Sequence, residues 1–284
     1  MSKTWTRIAA LVAGAATAGA AQAQAPSRAG TPGGFEVGAE VFDYSYRERF
    51  EGETVAFDDG ALGGLRLDYV ETIGSGLFLR ARLSGATGSI DYRSPDPAGD
   101  VRLENVSQSV GQLELQIGLD FPLGGGATIS PFTGIASRAL VDESGGKVSK
   151  QGLAGYDRDI RYGYIPFGAA LRVPLGGRGS AVTFSAQYDL VVHGTAESKF
   201  SGIDPALPDV KLDLDGGHGL EASIAYRMPL GRHAVSFGPF VRHWRLDRSK
   251  SFTLANPDDP TETLELFEPR NRTTEAGLRL TFAF

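Results

Sequence analysis

From Phe35 onward, apolar residues recur at every second position, the pattern of a strand whose two faces meet different surroundings. Leu65, Leu67 and Tyr69 alternate with Arg66 and Asp68. Leu77, Leu79, Ala81 and Leu83 alternate with Phe78, Arg80 and Arg82, and the run from Leu113 to Phe121 alternates with Gln112, Glu114 and Gln116. The same period holds over 165–173, 182–190, 220–228 and 276–284, and no stretch keeps a helical period. Glycine-rich turns divide these segments. One is Thr72–Gly76, and three later ones share Pro-Leu-Gly at 122, 174 and 229, a weak internal repeat. Each period holds two long strands, whereas a propeller blade needs four.

This reading predicts ten strands, at 34–47, 62–72, 76–90, 103–121, 127–141, 160–173, 181–195, 218–228, 233–247 and 273–284. Long polar connections are expected at 48–61, 91–102, 142–159, 196–217 and 248–272, all at one end, with the short turns at the other. Pro131-Phe132, Pro166-Phe167 and Pro239-Phe240 fall inside strands. Proline cannot donate to a ladder, so each predicts a bulge or an unpaired position. The switch from Val37, Ala39, Val41 to Phe42, Tyr44, Tyr46 predicts another in the first strand.

Short turns, long loops and an even strand count predict an all-β fold: a single closed antiparallel transmembrane β-barrel of about ten strands, with eight or twelve as alternatives. Strands longer than the ~9–11 residues that cross a bilayer should project beyond it on the loop side. Ahead of the strands, Lys3 and Arg7 precede an apolar stretch and Ala21-Gln22-Ala23, the layout of a secretory signal peptide over 1–23. A linker over 24–33 and a barrel over 34–284 complete the expected organisation, which makes the protein an exported one. Composition narrows the chemistry. Cysteine is absent, which removes disulfides, thiolate metal sites and thiol nucleophiles, and a net charge of −6 argues against nucleic acid as a partner.

The segment Leu278-Arg279-Leu280-Thr281-Phe282-Ala283-Phe284 resembles the C-terminal signal of bacterial outer-membrane β-barrel proteins. The resemblance implies that Leu278, Leu280, Phe282 and Phe284 are read by the barrel-assembly machinery. It also implies residence in the outer membrane against lipid and lipopolysaccharide. It brings no catalytic residue and no cofactor.

If the apolar face meets lipid, the other face fills the interior. That places Glu36, Glu40, Asp68, Glu114, Asp189, Glu221 and Glu275 inside with Arg66, Arg80, Arg82, Arg172, Arg227, Arg242 and Arg279. A narrow ten-stranded lumen suits a paired network, because the arginine fork binds carboxylates in a bidentate way. The expected role is therefore non-enzymatic: envelope structure, or contact with an unknown external ligand through the loops. A narrow pore for small solutes is the alternative.

A hydrolase at the mouth comes third. Omptin proteases, which are ten-stranded outer-membrane barrels, activate water with an Asp–His pair and an Asp pair. Here Asp189 and His193 share a face by alternation but stand about 13 Å apart along a strand, and the family's Asp-x-His pattern is missing. A deacylase would need His193 to meet Ser198. The acids Asp58, Asp59, Asp209, Asp213, Asp215, Asp258, Asp259, Glu262, Glu265 and Glu268 read as solvated loop charges rather than a metal site. Tyr156-Asp157-Arg158-Asp159 with Arg161 is a candidate docking surface for lipopolysaccharide phosphates or a protein ligand. Tyr162 and Tyr164 read as part of an aromatic girdle.

Overall fold

Strict alternation makes a strand amphipathic across its two faces, and a sheet of such strands buries one face by curling closed. The computed structural model describes residues 30–95, 99–176, 179–255 and 263–284; the expected signal peptide and residues 24–29 of the linker lie outside them. Ten long strands form the wall: β1 (Gly34–Phe50), β2 (Glu53–Ile73), β3 (Leu77–Ser94), β4 (Val101–Leu119) and β5 (Thr128–Glu143), then β6 (Asp157–Leu175), β7 (Ser180–Lys199), β8 (Gly217–Leu230), β9 (His233–Leu246) and β10 (Arg270–Ala283). Each is antiparallel to its sequence neighbours, and β10 pairs with both β9 and β1, closing the barrel at ten strands rather than eight or twelve.

The outward face near the short turns is an apolar belt. Leu65 is 69% exposed and Ile135 66%, joined by Val41, Leu115, Phe167, Ile224, Phe237 and Leu278. Toward the loop end the same face turns polar: Asp43, Ser45 and Arg47 on β1, Asp59 on β2, Ser89 and Asp91 on β3, Arg245 on β9, Arg272 on β10. The strands therefore continue well beyond the belt.

The loop end differs from expectation in one connection above all. Instead of a long loop over 48–61, Phe50 pairs with Glu53 across a two-residue turn. Glu51 and Gly52 carry the positive φ values, 49° and 91°, that such a hairpin requires. Asp58 and Asp59 are consequently strand residues. Within the other connections, Val210–Leu214 adds to the outer end of β7, and Phe252–Ala255 pairs with Thr263–Leu266 as a separate hairpin.

Bulges also lie elsewhere than expected. The prolines instead mark the unpaired positions that were the other expectation: Pro131 has no partner in β4, Pro239 none in β8 and Pro166 none in β5, and the register is the same on either side of each gap because losing an N–H removes a ladder bond without adding a residue. Pro166 has a shift nearby, between Gly163 and Tyr164. In β1 the shift falls at Glu48/Arg49, not at Val41/Phe42. Phe42, Tyr44 and Tyr46 are buried inside, so the change of pattern there reflects a change of interior filling.

Close packing inside leaves little tolerance. A side chain on Gly118 would meet the ring of the fully buried Phe78 at 2.2 Å. Gly118→Val is expected to cost about 1–3 kcal/mol by overpacking, read as a lower denaturant midpoint in detergent; an unchanged midpoint would mean Phe78 is free to move.

Candidate functional site: the barrel interior and its mouth

The interior divides into layers along the axis. At the short-turn end, Glu36 pairs with Arg227, and the chain ahead of β1 crosses the opening: Thr31 Oγ1 donates to Asp120 at 2.6 Å. Arg172 donates to the Gly30 carbonyl at 3.4 Å. Arg80 lies over the rings of Phe78 and Phe132 and donates to Gln116, without a carboxylate partner among the described residues.

Above this layer lies one connected ion-pair network. Glu40 accepts from Arg279 at 2.6 Å and from Arg242 at 2.9 Å, with Arg66 at 3.7 Å. Arg66 bonds Asp68 at 2.5 Å, Asp68 meets Arg82 at 3.0 Å, and Arg82 reaches Glu114 at 2.7 Å. Arg242 also holds Glu275 at 3.1 Å and Glu221 at 3.2 Å. Arg138 completes the network on Glu275, and both side chains are wholly buried. Carboxylates and guanidinium groups are equal in number within it. The remaining strands join through neutral donors: Tyr164 Oη donates to Glu114 at 2.8 Å, and Gln187 donates to Glu114 at 3.2 Å and to Asp189 at 2.8 Å.

Of the residues expected inside, Arg80, Arg172 and Asp189 thus face the interior without joining an ion pair among the described residues. Arg138 is the member that alternation should have supplied. It shares a face with Thr128, Ser130 and Asp142, and the expected break at Pro131 hid that phase.

An aromatic layer covers the network on its loop side. Trp244 packs edge-on against Tyr164 at 4.9 Å and against Tyr162 at 5.2 Å, and the Arg138 guanidinium lies 5.2 Å from the Trp244 ring. Tyr162 and Tyr164 are therefore interior residues and not a girdle; Arg161, Gly163 and Ile165 take the outward positions. The space enclosed between Glu40, Phe42, Arg138 and Arg242 is about 10 Å³, room for one water molecule at most. A larger concavity of about 610 Å³ lies on the outer apolar face, over Leu79, Ala81 and Ile117.

Beyond the aromatic layer, where the flanking outward residues are Arg47 and Asp59, a second cluster fills the mouth. Arg158 meets Glu48, with Glu268 at 3.7 Å and Asp58 at 3.8 Å. Asp142 bonds Ser144, and Tyr46 Oη donates to Glu48 at 3.0 Å. Asp58 and Glu268 thus turn inward instead of sitting on solvated loops, and Arg158 is an interior anchor rather than part of a docking surface. Four carboxylates share one guanidinium here. Burial, then the neighbouring Asp142 and Glu48, raise the Asp58 carboxyl well above its usual range against the pull of Arg158. Burial pushes Glu268 up to about 7.

All four histidines lie outside this interior. The bulge at Val192 turns His193 outward, onto the opposite face from the buried Asp189 and from Ser198. Neither an Asp189–His193 nor a His193–Ser198 couple can form. His218 stacks on the outward Tyr188, His243 bonds Thr274 at 2.8 Å, and His233 lies against Phe282 and Phe284 at the short-turn edge. Leu278, Leu280, Phe282 and Phe284 all face outward. No group of three side chains suited to a metal gathers among the described residues; Asp258, Asp259 and Glu262 lie outside them.

No family model and no curated protein matches the chain. Among solved structures, the outer membrane protease OmpT from Escherichia coli aligns with 93% of this chain and 100% of its own, with a TM-score of 0.56 and 10% identity. The chain has the outer-membrane β-barrel fold. The COG4313 outer membrane channel from Pseudomonas putida F1 is less similar, with a TM-score of 0.38, 12% identity and coverage of 92% and 99%. So is the translocator domain of autotransporter NalP from Neisseria meningitidis, at 0.36, 12%, and 99% and 95%.

Two expectations test this interior. Arg138→Ala strands Glu275 without one of its two guanidinium partners and should cost roughly 3–5 kcal/mol, followed by the emission of Trp244 during unfolding; a loss under 1 kcal/mol would contradict the network. The mouth gives the second. A carboxyl whose folded value is raised binds protons more readily in the folded barrel than in the unfolded chain, so stability rises as pH falls through that value. Between pH 8 and 6 the barrel should gain on the order of 1–2 kcal/mol, and Glu268→Gln should flatten that slope. A wild-type slope of the opposite sign would refute the assignment.

Proposed function

We propose that the protein is an exported barrel of the bacterial outer membrane that conducts no solutes and works through the end projecting beyond its apolar belt, either as envelope structure or in contact with an external ligand. The observation that carries this reading is the filled interior. Ion pairs, an aromatic layer and the acidic mouth succeed one another along the axis, and the pocket among Glu40, Phe42, Arg138 and Arg242 holds only about 10 Å³. A conducting filter would need an open path lined by one sign of charge.

The outward Leu278, Leu280, Phe282 and Phe284 would be available to the barrel-assembly machinery before insertion, and the belt would then meet lipid. OmpT is a protease, but the outward placement of every histidine leaves this interior without an imidazole to activate water, which supports a non-enzymatic role.

Refolded barrel in a planar bilayer should be electrically silent, with correct folding checked by the gel shift between unboiled and boiled samples. Reproducible conductance steps that change on Glu114→Gln would overturn the closed reading.

A further inference from the structure

The interior is packed unevenly at its short-turn end. On β2, β3 and β5 the inward positions there carry the large buried groups Val70, Phe78 and Phe132. On β7 and β8 they carry Thr183, Ser185, Ser223 and Ala225, all partly exposed although they point inward. The hydroxyls of Thr183, Ser185 and Ser223 have no hydrogen-bond partner among the described residues. Small side chains and free hydroxyls leave a polar pocket beneath the ion-pair network.

Two arginines flank this thinly lined wall. Arg172 of β6 lies opposite Thr183 of β7, Thr183 lies opposite Ala225 of β8, and Arg227 is the next inward residue of β8. The two side chains therefore leave the wall two strands apart, about 10 Å, with only small residues between them. A third arginine arrives from the far wall. Arg80 donates to Gln116, and Gln116 donates at 3.4 Å to Gln187, the residue above Ser185 on the same face.

Counter-charge does not match these cations. Glu36 takes Arg227. Asp120 is engaged by the Thr31 N–H and hydroxyl and by the Ser130 hydroxyl. Arg172 has a long bond to the Gly30 carbonyl and Arg80 a neutral amide, and neither has a carboxylate partner among the described residues. A desolvated guanidinium without an anion is costly, and both side chains are accordingly only partly buried, where water or an anion can reach them. The network above closes the pocket toward the loops, so access is from the short turns.

We propose that this pocket binds a small oxyanion of the phosphate type, entering from the short-turn side and held by Arg172 and Arg80 with Arg227 beside it. Guanidinium groups grip phosphate oxygens through paired N–H bonds, and the hydroxyls of Thr183 and Ser185 supply further donors. The site lies at the opposite end from the loops and adds to the role proposed above.

Mature barrel refolded in detergent is titrated with inorganic phosphate at constant ionic strength, with sodium chloride as the balance. Phosphate should raise the melting temperature of the wild type. Arg172→Gln should bind it about tenfold more weakly, through loss of one charge-assisted bond. Arg245→Gln, an exposed change at the loop end, should bind as the wild type does. Access is read separately. The chain has no cysteine, so Ser185→Cys provides a single thiol. A negatively charged methanethiosulfonate should modify it about tenfold or more faster than a positively charged one, and phosphate should slow that reaction. This thiol decides the matter even if Arg172→Gln does not fold. No shift with phosphate, an equal shift in Arg172→Gln, or a thiol that does not favour the anionic reagent or reacts with neither would overturn the proposal. A wild type without the gel shift on boiling would instead overturn the barrel reading on which the pocket rests.

Discussion

A charge buried in a closed barrel has nowhere to turn but to another strand's side chain, and that constraint organises this molecule. Glu40, Arg242 and Glu275 are almost fully buried, far from any solvent that could solvate them. Each must therefore be matched within hydrogen-bonding reach, and the matching partners come from strands distant in sequence. Arg242 on β9 holds Glu40 on β1, and Arg138 on β5 holds Glu275 on β10 across the barrel. Register, strand number and the identity of each inward residue become mutually dependent, because shifting one strand by a residue would turn its charge to the belt.

The layers above and below follow from the same demand. A balanced network tolerates deep burial, and the aromatic layer of Trp244, Tyr162 and Tyr164 seals it from the loop side. The mouth is different in kind. Glu48, Asp58, Asp142 and Glu268 outnumber Arg158, and the excess charge is relieved by proton uptake instead of pairing. Stability is thus responsive to mild acidity at the mouth.

Much of the architecture was legible in the sequence because lipid on one side and side chains on the other impose a period of two on almost every strand. The belt and most of the network residues follow from that period alone. What escaped did so for identifiable reasons. The Glu51-Gly52 turn looked like part of a polar loop, since Thr54, Asp58 and Asp59 are polar on both faces beyond the belt. That concealed Asp58 as a mouth residue, and Glu268 and Arg158 were concealed in the same way. Arg138 was lost because a proline was read as a break in phase. His193 was misplaced by one residue of bulge, which no local pattern announces. Pairing across the barrel depends on register between strands and is not contained in any single segment.

The central claim is that opposed charges inside the barrel hold one another, and a double-mutant cycle on Arg82 and Glu114 tests it most directly. Arg82→Met, Glu114→Gln and the double variant would be unfolded in detergent with Trp244 emission as the probe. The account predicts a coupling of roughly 1–3 kcal/mol, the double variant being less destabilised than the sum of the single changes. Strict additivity would mean that these groups, 2.7 Å apart in the structure, do not depend on one another.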